Sequence, residues 1–489
     1  MTQRSVGWKV TLALVSLTFV LAGSAFAASS FDRKPYAEAP MTVQTEGASV
    51  GELLQAQTQM ADWLASERPA GMQQRPVRLD LTPQDLALVN QPARPGEPLK
   101  IGLVKGFGPS IEVTGLSTAE GVRVPNRGNA NSAHPTADGG YVWSTTIEAA
   151  GASAIRFHVE NMSLPANAAL YVYSPTGEAY GPYTTTGPDR TGEFWTTSVF
   201  GSEATVQLRM TAPVTLRDLG SVSFSIREAG VIAGRGGDTV TPQATLAFCG
   251  NAACIVDATC NNGTPADPAK LAVAKMEWVS GAFLYTCTGG LLTDNNPSQS
   301  NFFLTANHCL SKNNAAGNVS FYWRFATSSC NGSCPSNTGW PYKTTGSTVS
   351  ATNRTGDFTL LHLNANPPAG SVFLGWTNAP VANTNGAALY RISNPDFGPQ
   401  VYSQHSVDTS APQCQGWPRG ERIYSRDTLG ATDGGSSGSP VLNASSQVVG
   451  QLSGGCGTNV NNVCDAVHNA TVDGAFANYY SKIQAIINP

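Results

Sequence analysis

The sequence predicts an all-β protein of two folded units behind a leader segment, and three observations carry that reading. Short runs of alternating apolar and polar residues recur from about residue 75 to 228, and again from 249 onward, with Gly/Pro turns between them. Charged residues make up only 13% of the chain, against about 25% in an average soluble protein, while Gly, Ser, Thr and Asn are abundant. All ten cysteines fall between Cys249 and Cys464, so the two halves of the 489-residue chain are built differently.

In chain order, Arg4 and Lys9 precede the apolar run Val10 to Ala22 and then Ala25-Phe26-Ala27, the order of a secretory signal, with cleavage expected after Ala27. The apolar run is about a dozen residues where a spanning helix needs ~20, so a membrane anchor is disfavoured. Residues 28 to about 50 read as extended. Gly51 to Glu67 places Leu53, Leu54, Met60 and Leu64 at helical spacing and predicts one short helix. Runs such as Ile155–Val159, Leu170–Tyr173 and Thr205–Leu208, separated by turns like Ser174-Pro175-Thr176-Gly177, predict a β-sandwich-like unit. The Gly-rich stretch 229–248 ends that unit, with the boundary near 240. Beyond it the pattern is short strands and long polar loops, closed by a terminal helix in Gly474 to Ile487 that carries Phe476, Tyr480, Ile483 and Ile487 on one face.

Net charge is −4 and no long basic run occurs, so nothing recruits nucleic acid or an anionic membrane through bulk electrostatics. An even cysteine count downstream of an export signal reads as disulfides in an oxidising compartment. A structural zinc is the competing reading, but no CxxC pair or neighbouring His pair supports it.

Three segments carry chemistry. Phe303-Leu304-Thr305-Ala306-Asn307-His308-Cys309 places a histidine at a strand end beside a cysteine, where it can be held still as a general base. Gly434-Gly435-Ser436-Ser437-Gly438-Ser439-Pro440 supplies a Gly-flanked turn: Ser437 is the expected nucleophile, and the N–H groups of Gly435 and Ser437 form the expected oxyanion hole. Asp357, in Gly356-Asp357-Phe358-Thr359-Leu360-Leu361, opens an apolar strand. A carboxylate there needs a partner, and the second ring nitrogen of the histidine is one. The chain order His308, Asp357, Ser437 therefore predicts acyl transfer through a triad. No metal or organic cofactor is required.

With these segments in hand, the sequence resembles the bacterial secreted serine proteases of the chymotrypsin superfamily, in the lysyl-endopeptidase-like branch. TANHC around His308, GDFTLL around Asp357, GSSGSP around Ser437 and GQLSGG over Gly450–Gly455 carry the resemblance, from Cys254 to the C-terminal helix. It implies a double β-barrel protease domain over 241–489. It also implies that Ser453, Gly454 and Gly455 pair with substrate backbone and wall the primary specificity pocket. Disulfides Cys287–Cys309 and Cys260–Cys330 are implied, with Cys254 bonded to Cys456 or Cys464; pairing of Cys249, Cys334 and Cys414 stays open. The stretches YVYSPTGEAYGPY and GEFWTTSVFG resemble the propeptide of such precursors, so residues 28–240 are expected to be a removable prodomain. A permanent binding domain is the alternative.

Two departures matter. Ser436 stands before the nucleophile where many trypsin-like enzymes have Asp, so activation by a new N-terminal ammonium paired there is not expected; removal of the prodomain is expected to relieve blockage instead. Ala431 occupies the position that is acidic in trypsin-like enzymes. The lysyl-specific branch uses a later Asp, for which Asp473 is the nearest candidate and Asp465 a competitor. P1 preference thus stays open between Lys/Arg and small or apolar side chains. An esterase with Ser436 as nucleophile would have to use Asp465 and His468 and lacks βα alternation; a catalytically inactive protease scaffold would lack a triad member, and none is missing. The expected partners are protein and peptide substrates and the chain's own prodomain. Neither nucleic acid nor, after signal cleavage, membrane is expected, and the protein is expected to be a secreted monomer.

Overall fold

In the helix Val50–Ser66 the Ser49 hydroxyl accepts from the Glu52 amide, and the Glu52 carboxylate accepts from the Ser49 amide at 2.7 Å, so a reciprocal cap starts the helix where the apolar spacing predicts it. Leu64 and Ala61 pack on Tyr173 and Ala179 of the neighbouring sheet. The computed structural model describes residues 37–45, 48–68, 76–91, 93–94, 96–118, 132–233, 248–296 and 299–489. The expected signal segment 1–27 and the unit boundary near residue 240 lie outside them.

Two sheets form the N-terminal sandwich. One runs in the order Ala179–Thr184, Ala168–Tyr173, Glu203–Met210, Tyr141–Glu148 and Ser132–Pro135. The other contains Ala154–Ser163, Ser223–Ile232 and Leu99–Thr114. Inward-facing Trp143, Phe157, Leu170, Val206, Leu208 and Phe224 fill the space between them. The second sheet does not stop at the sandwich. The strand Leu99–Thr114 is 16 residues long; Gly102 to Thr114 pair with Ser223–Ile232, while Leu99 to Leu103 pair antiparallel with Phe283–Leu291 of the C-terminal half. One sheet is therefore shared, which alternation alone could not reveal. Farther upstream, Glu38–Ala39 and Thr42–Val43 pair with Trp376–Thr377 and Val372–Phe373.

The C-terminal half has a curled half-barrel followed by a closed barrel, the double-barrel arrangement expected. In the first, Phe283–Leu291 pairs with Val273–Ser280 and Phe302–Thr305, and Phe302–Thr305 with Phe358–Leu363. In the second, six strands close a ring in the order Val448–Gly457, Pro440–Asn443, Ala388–Ser393, Val401–Val407, Arg422–Leu429 and Asn469–Ala475, the last pairing back with the first. The helix Phe476–Ile487 buries Phe476, Tyr479, Tyr480, Ile483 and Ile487. Among the described residues no helix is long and apolar enough to cross a membrane.

All ten cysteines are bonded. Cys287–Cys309 and Cys260–Cys330 form as the resemblance implies; Cys254 takes Cys464, and the open pairs resolve as Cys249–Cys334 and Cys414–Cys456.

Candidate active site

Strand register brings the first two groups together. Thr305 faces Thr359 in the antiparallel pair, so the residues just beyond the end of one strand meet those just before the other. There the Asn307 amide donates to the Asp357 carbonyl at 3.1 Å and the His308 amide to Asp357 Oδ1 at 3.0 Å. His308 Nδ1 lies 3.1 and 2.9 Å from the two carboxylate oxygens. This fixes the ring at Nδ1, while Nε2 lies 3.8 Å from Cys309 Sγ and makes no hydrogen bond to Ser437 among the described residues. Asp357 adopts a left-handed backbone, φ 50°, uncommon for a non-glycine residue. Gln451 holds it there: Nε2 donates to the Asp357 carbonyl at 2.7 Å, while Oε1 accepts from the Tyr479 hydroxyl of the terminal helix at 2.5 Å.

Burial raises the Asp357 carboxyl, but attraction to His308 and the hydrogen bonds it accepts outweigh that and leave its pKa below the ordinary value. Ser453 adds to the lowering. Its hydroxyl lies beside the carboxylate, outside good hydrogen-bond geometry and with no other partner among the described residues.

The turn holding Ser437 hangs from a single threonine of the half-barrel. The Thr288 amide donates to the Ser437 carbonyl and Thr288 Oγ1 to the Gly435 carbonyl, both at 2.8 Å. The preceding residue, Cys287, is disulfide-bonded to Cys309 beside His308. Two consecutive residues on one strand thus tie down both the histidine and the serine turn. Gly438, φ 82°, completes the joint, because a methyl group there would sit 2.2 Å from Thr305 Oγ1 and 2.8 Å from the Ala306 amide nitrogen. The serine turn is therefore packed against the chain that carries His308. The amides of Gly435 and Ser437 have no hydrogen-bond acceptor among the described residues, whereas those of Ser436, Gly438 and Ser439 are bonded within the fold. Ser436 is fully buried and Ser437 partly exposed.

A cavity opens beside Ser437, lined by Gly434, Gly454, Gly455, Asp427 and Thr471, and on its other side by Ala93, Arg94, Gly96 and Glu97 of the N-terminal half. Gly454 and Gly455 line it, whereas Asp473 is fully buried, receives both of its close contacts from Arg391 Nη2 at 2.8 and 2.9 Å, and does not reach the cavity. Ala431 is also buried, packed with Ile255 and Val401, and Ser453 lies behind the wall against Asp357. Asp465 is spent on His468 and Asn459, whose hydrogen bonds lower its pKa to about 2. Three carboxylates do line the cavity, Glu97, Asp427 and Asp433; Asp427 escapes sequence reading because Arg422–Leu429 looks like an ordinary solvent-facing strand.

Residues 250–470 match the family described as lysyl endopeptidase, C-terminal domain. Over 382 residues the chain is 29% identical to lysyl endopeptidase of Pseudomonas aeruginosa, covering 74% of this chain and 75% of that one. The chain is a lysyl endopeptidase homologue.

The homologue is a serine endopeptidase. Solved structures similar to it include the active form of the Rv3671c protease from M. tuberculosis, at 16% identity and TM-score 0.32, covering 48% of this chain and 88% of that one. Another is the MamO protease domain from Magnetospirillum magneticum, at 16% identity and TM-score 0.30, covering 44% and 97%. The homologue's five disulfides accord with a life outside the cytoplasm.

Proposed function

We propose that this is a secreted endopeptidase that uses His308, Asp357 and Ser437 as its triad and is made as a precursor whose N-terminal half covers the cleft. The observation that carries the reading is the Nδ1–carboxylate contact of 2.9 Å on a histidine whose own chain packs against the serine turn. His308 takes the Ser437 proton as the hydroxyl attacks the scissile carbonyl. Asp357 holds the tautomer and stabilises the imidazolium, and the free amides of Gly435 and Ser437 receive the oxyanion, each contribution being worth several kcal/mol in sites of this kind. His308 then protonates the leaving amine, and water hydrolyses the acyl-enzyme.

The relative's name specifies lysyl bonds, and Asp427 gives the cavity beside Ser437 a carboxylate of the sign a Lys or Arg side chain requires. Substrate backbone would run along Gly454 and Gly455 as an added strand. In the precursor Ala93, Arg94, Gly96 and Glu97 line the same cavity, and Leu99 Cδ1 would lie 3.2 Å from a methyl on Gly434. Cutting in the segment near residue 240 would release the cover.

A fluorophosphonate probe checks the assignment. The processed enzyme is expected to carry the adduct on Ser437, and Ser437→Ala to lose labelling and peptide hydrolysis together; an adduct on Ser436 would overturn it.

A further inference from the structure

We propose that His405 is a positioning residue for substrate recognition: as a neutral ring it holds Asp427 ionised at the cavity with one oxygen free, and the Arg391–Asp473 pair behind it fixes its tautomer. This rests on the reading of Asp427 as the carboxylate that receives a cationic P1 side chain.

Arg391, Asp473, His405 and Asp427 form a row of four polar side chains through the barrel. Arg391 and Asp473 stand on strands that are not neighbours in the ring, so their contact crosses the barrel interior, where both are completely buried. From the same guanidinium, Arg391 Nε lies 3.0 Å from His405 Nε2. A guanidinium only donates, so Nε2 must offer a lone pair. The Ser403 hydroxyl, 2.9 Å from the same nitrogen, can add a second donor. The ring proton is therefore on Nδ1, which faces Asp427 Oδ1 at 2.6 Å across the strand pair Val401–Val407/Arg422–Leu429.

The charge count follows. Arg391 and Asp473 cancel, and His405 is neutral. One negative charge remains on Asp427, the only member of the row with any exposure, at 13%. Its Oδ1 takes Nδ1–H and the Thr471 hydroxyl at 2.8 Å; Oδ2 has no partner among the described residues. A doubly protonated His405 would instead neutralise Asp427 and remove the attraction for a cation. The Arg391 contact is what forbids that state, so a residue far behind the pocket wall sets the charge at its surface.

The test uses full-length variants, exported and processed, on two peptides identical except for lysine or norleucine at P1, with fluorophosphonate labelling of Ser437 to count folded sites. Asp427→Asn is expected to bring the two rates close together. His405→Gln, whose amide reaches the place of Nε2 but not of Nδ1, is expected to lower kcat/KM for the lysine peptide about tenfold or more through KM, as loss of a hydrogen bond to a charged group does, and to leave the norleucine peptide unchanged. His405→Asn, whose amide nitrogen replaces Nδ1, is expected to recover most of the lysine preference. Should His405→Gln fail to accumulate, Thr471→Val removes the other donor to Oδ1 and is expected to raise KM for the lysine peptide more than for the norleucine peptide. No loss, or equal loss on both peptides, in the variant that labels overturns the proposal. If Asp427→Asn leaves the lysine preference intact, the P1 reading itself fails; if it abolishes the preference while His405→Gln has no effect, only the positioning role fails.

Discussion

Asp357 concentrates several demands on one residue: a left-handed backbone, a buried carboxylate, and two bonds to one histidine. Asparagine would keep the shape but favour the wrong tautomer of His308, so Asp357→Asn is expected to lower kcat by about four orders of magnitude with little change in fold. Acid provides a second readout. Because the folded-state pKa lies below the ordinary 3.8, the ionised carboxylate stabilises the fold above that value, and the contribution is lost as pH falls below it. Tryptophan fluorescence followed from pH 6 to 2 should therefore show a flatter acid transition for the Asp357→Asn variant than for the parent. Among these residues, His308, Asp357 and Ser437 were legible as candidates because each stands in a short motif with its own chemical logic. Asp427 and His405 were not, since nothing in a strand sequence says which side chain of the next strand it will face.

Individual elements supply the rigidity that these side chains need. The terminal helix is visible in sequence as an apolar stripe, yet its contribution to the site comes from Tyr479, which stacks on Phe358 at 4.2 Å between ring centres and passes a hydrogen bond through Gln451 to the Asp357 carbonyl. Tyr479→Phe keeps the stacking and removes only the hydroxyl. It should lower kcat several-fold, at nearly constant KM, through a loosened Asp357. The serine turn is less forgiving: alanine at Gly438 would place a methyl 2.5 Å from the Thr288 carbonyl oxygen at a backbone φ of 82°, so Gly438→Ala is expected to abolish both labelling and hydrolysis. In the N-terminal half, a methyl at Gly102 would approach the Val231 carbonyl oxygen to 2.2 Å, in the strand that belongs to both halves. Gly102→Val should accordingly deplete the folded full-length chain, measurable by immunoblot of the soluble fraction.

For the whole molecule, the two halves meet through buried charge as well as shared strands. Arg156 of the sandwich pairs with Glu277 of the half-barrel at 3.3 Å, and Glu178 with Lys343 at 2.8 Å, all four side chains being almost fully buried. Removing one partner strands the other: Arg156→Leu in a Ser437→Ala background is expected to destabilise the precursor by about 3–5 kcal/mol, read as a lower urea midpoint, whereas adding Glu277→Leu should recover much of the loss. Sequence alone determined the class of fold, the disulfide-bonded, extracytoplasmic character of the chain, and three motifs that nominate candidate residues, because alternation, composition and local motifs are written in neighbouring residues. Tertiary structure decided the rest: which cysteines pair, that one strand serves two halves, and that Asp427 rather than Asp473 faces the cleft. The reason is physical. A strand fixes which side chains share a face, but only the closing of the barrel determines which carboxylate meets a buried arginine and is neutralised, and which is left at the cavity.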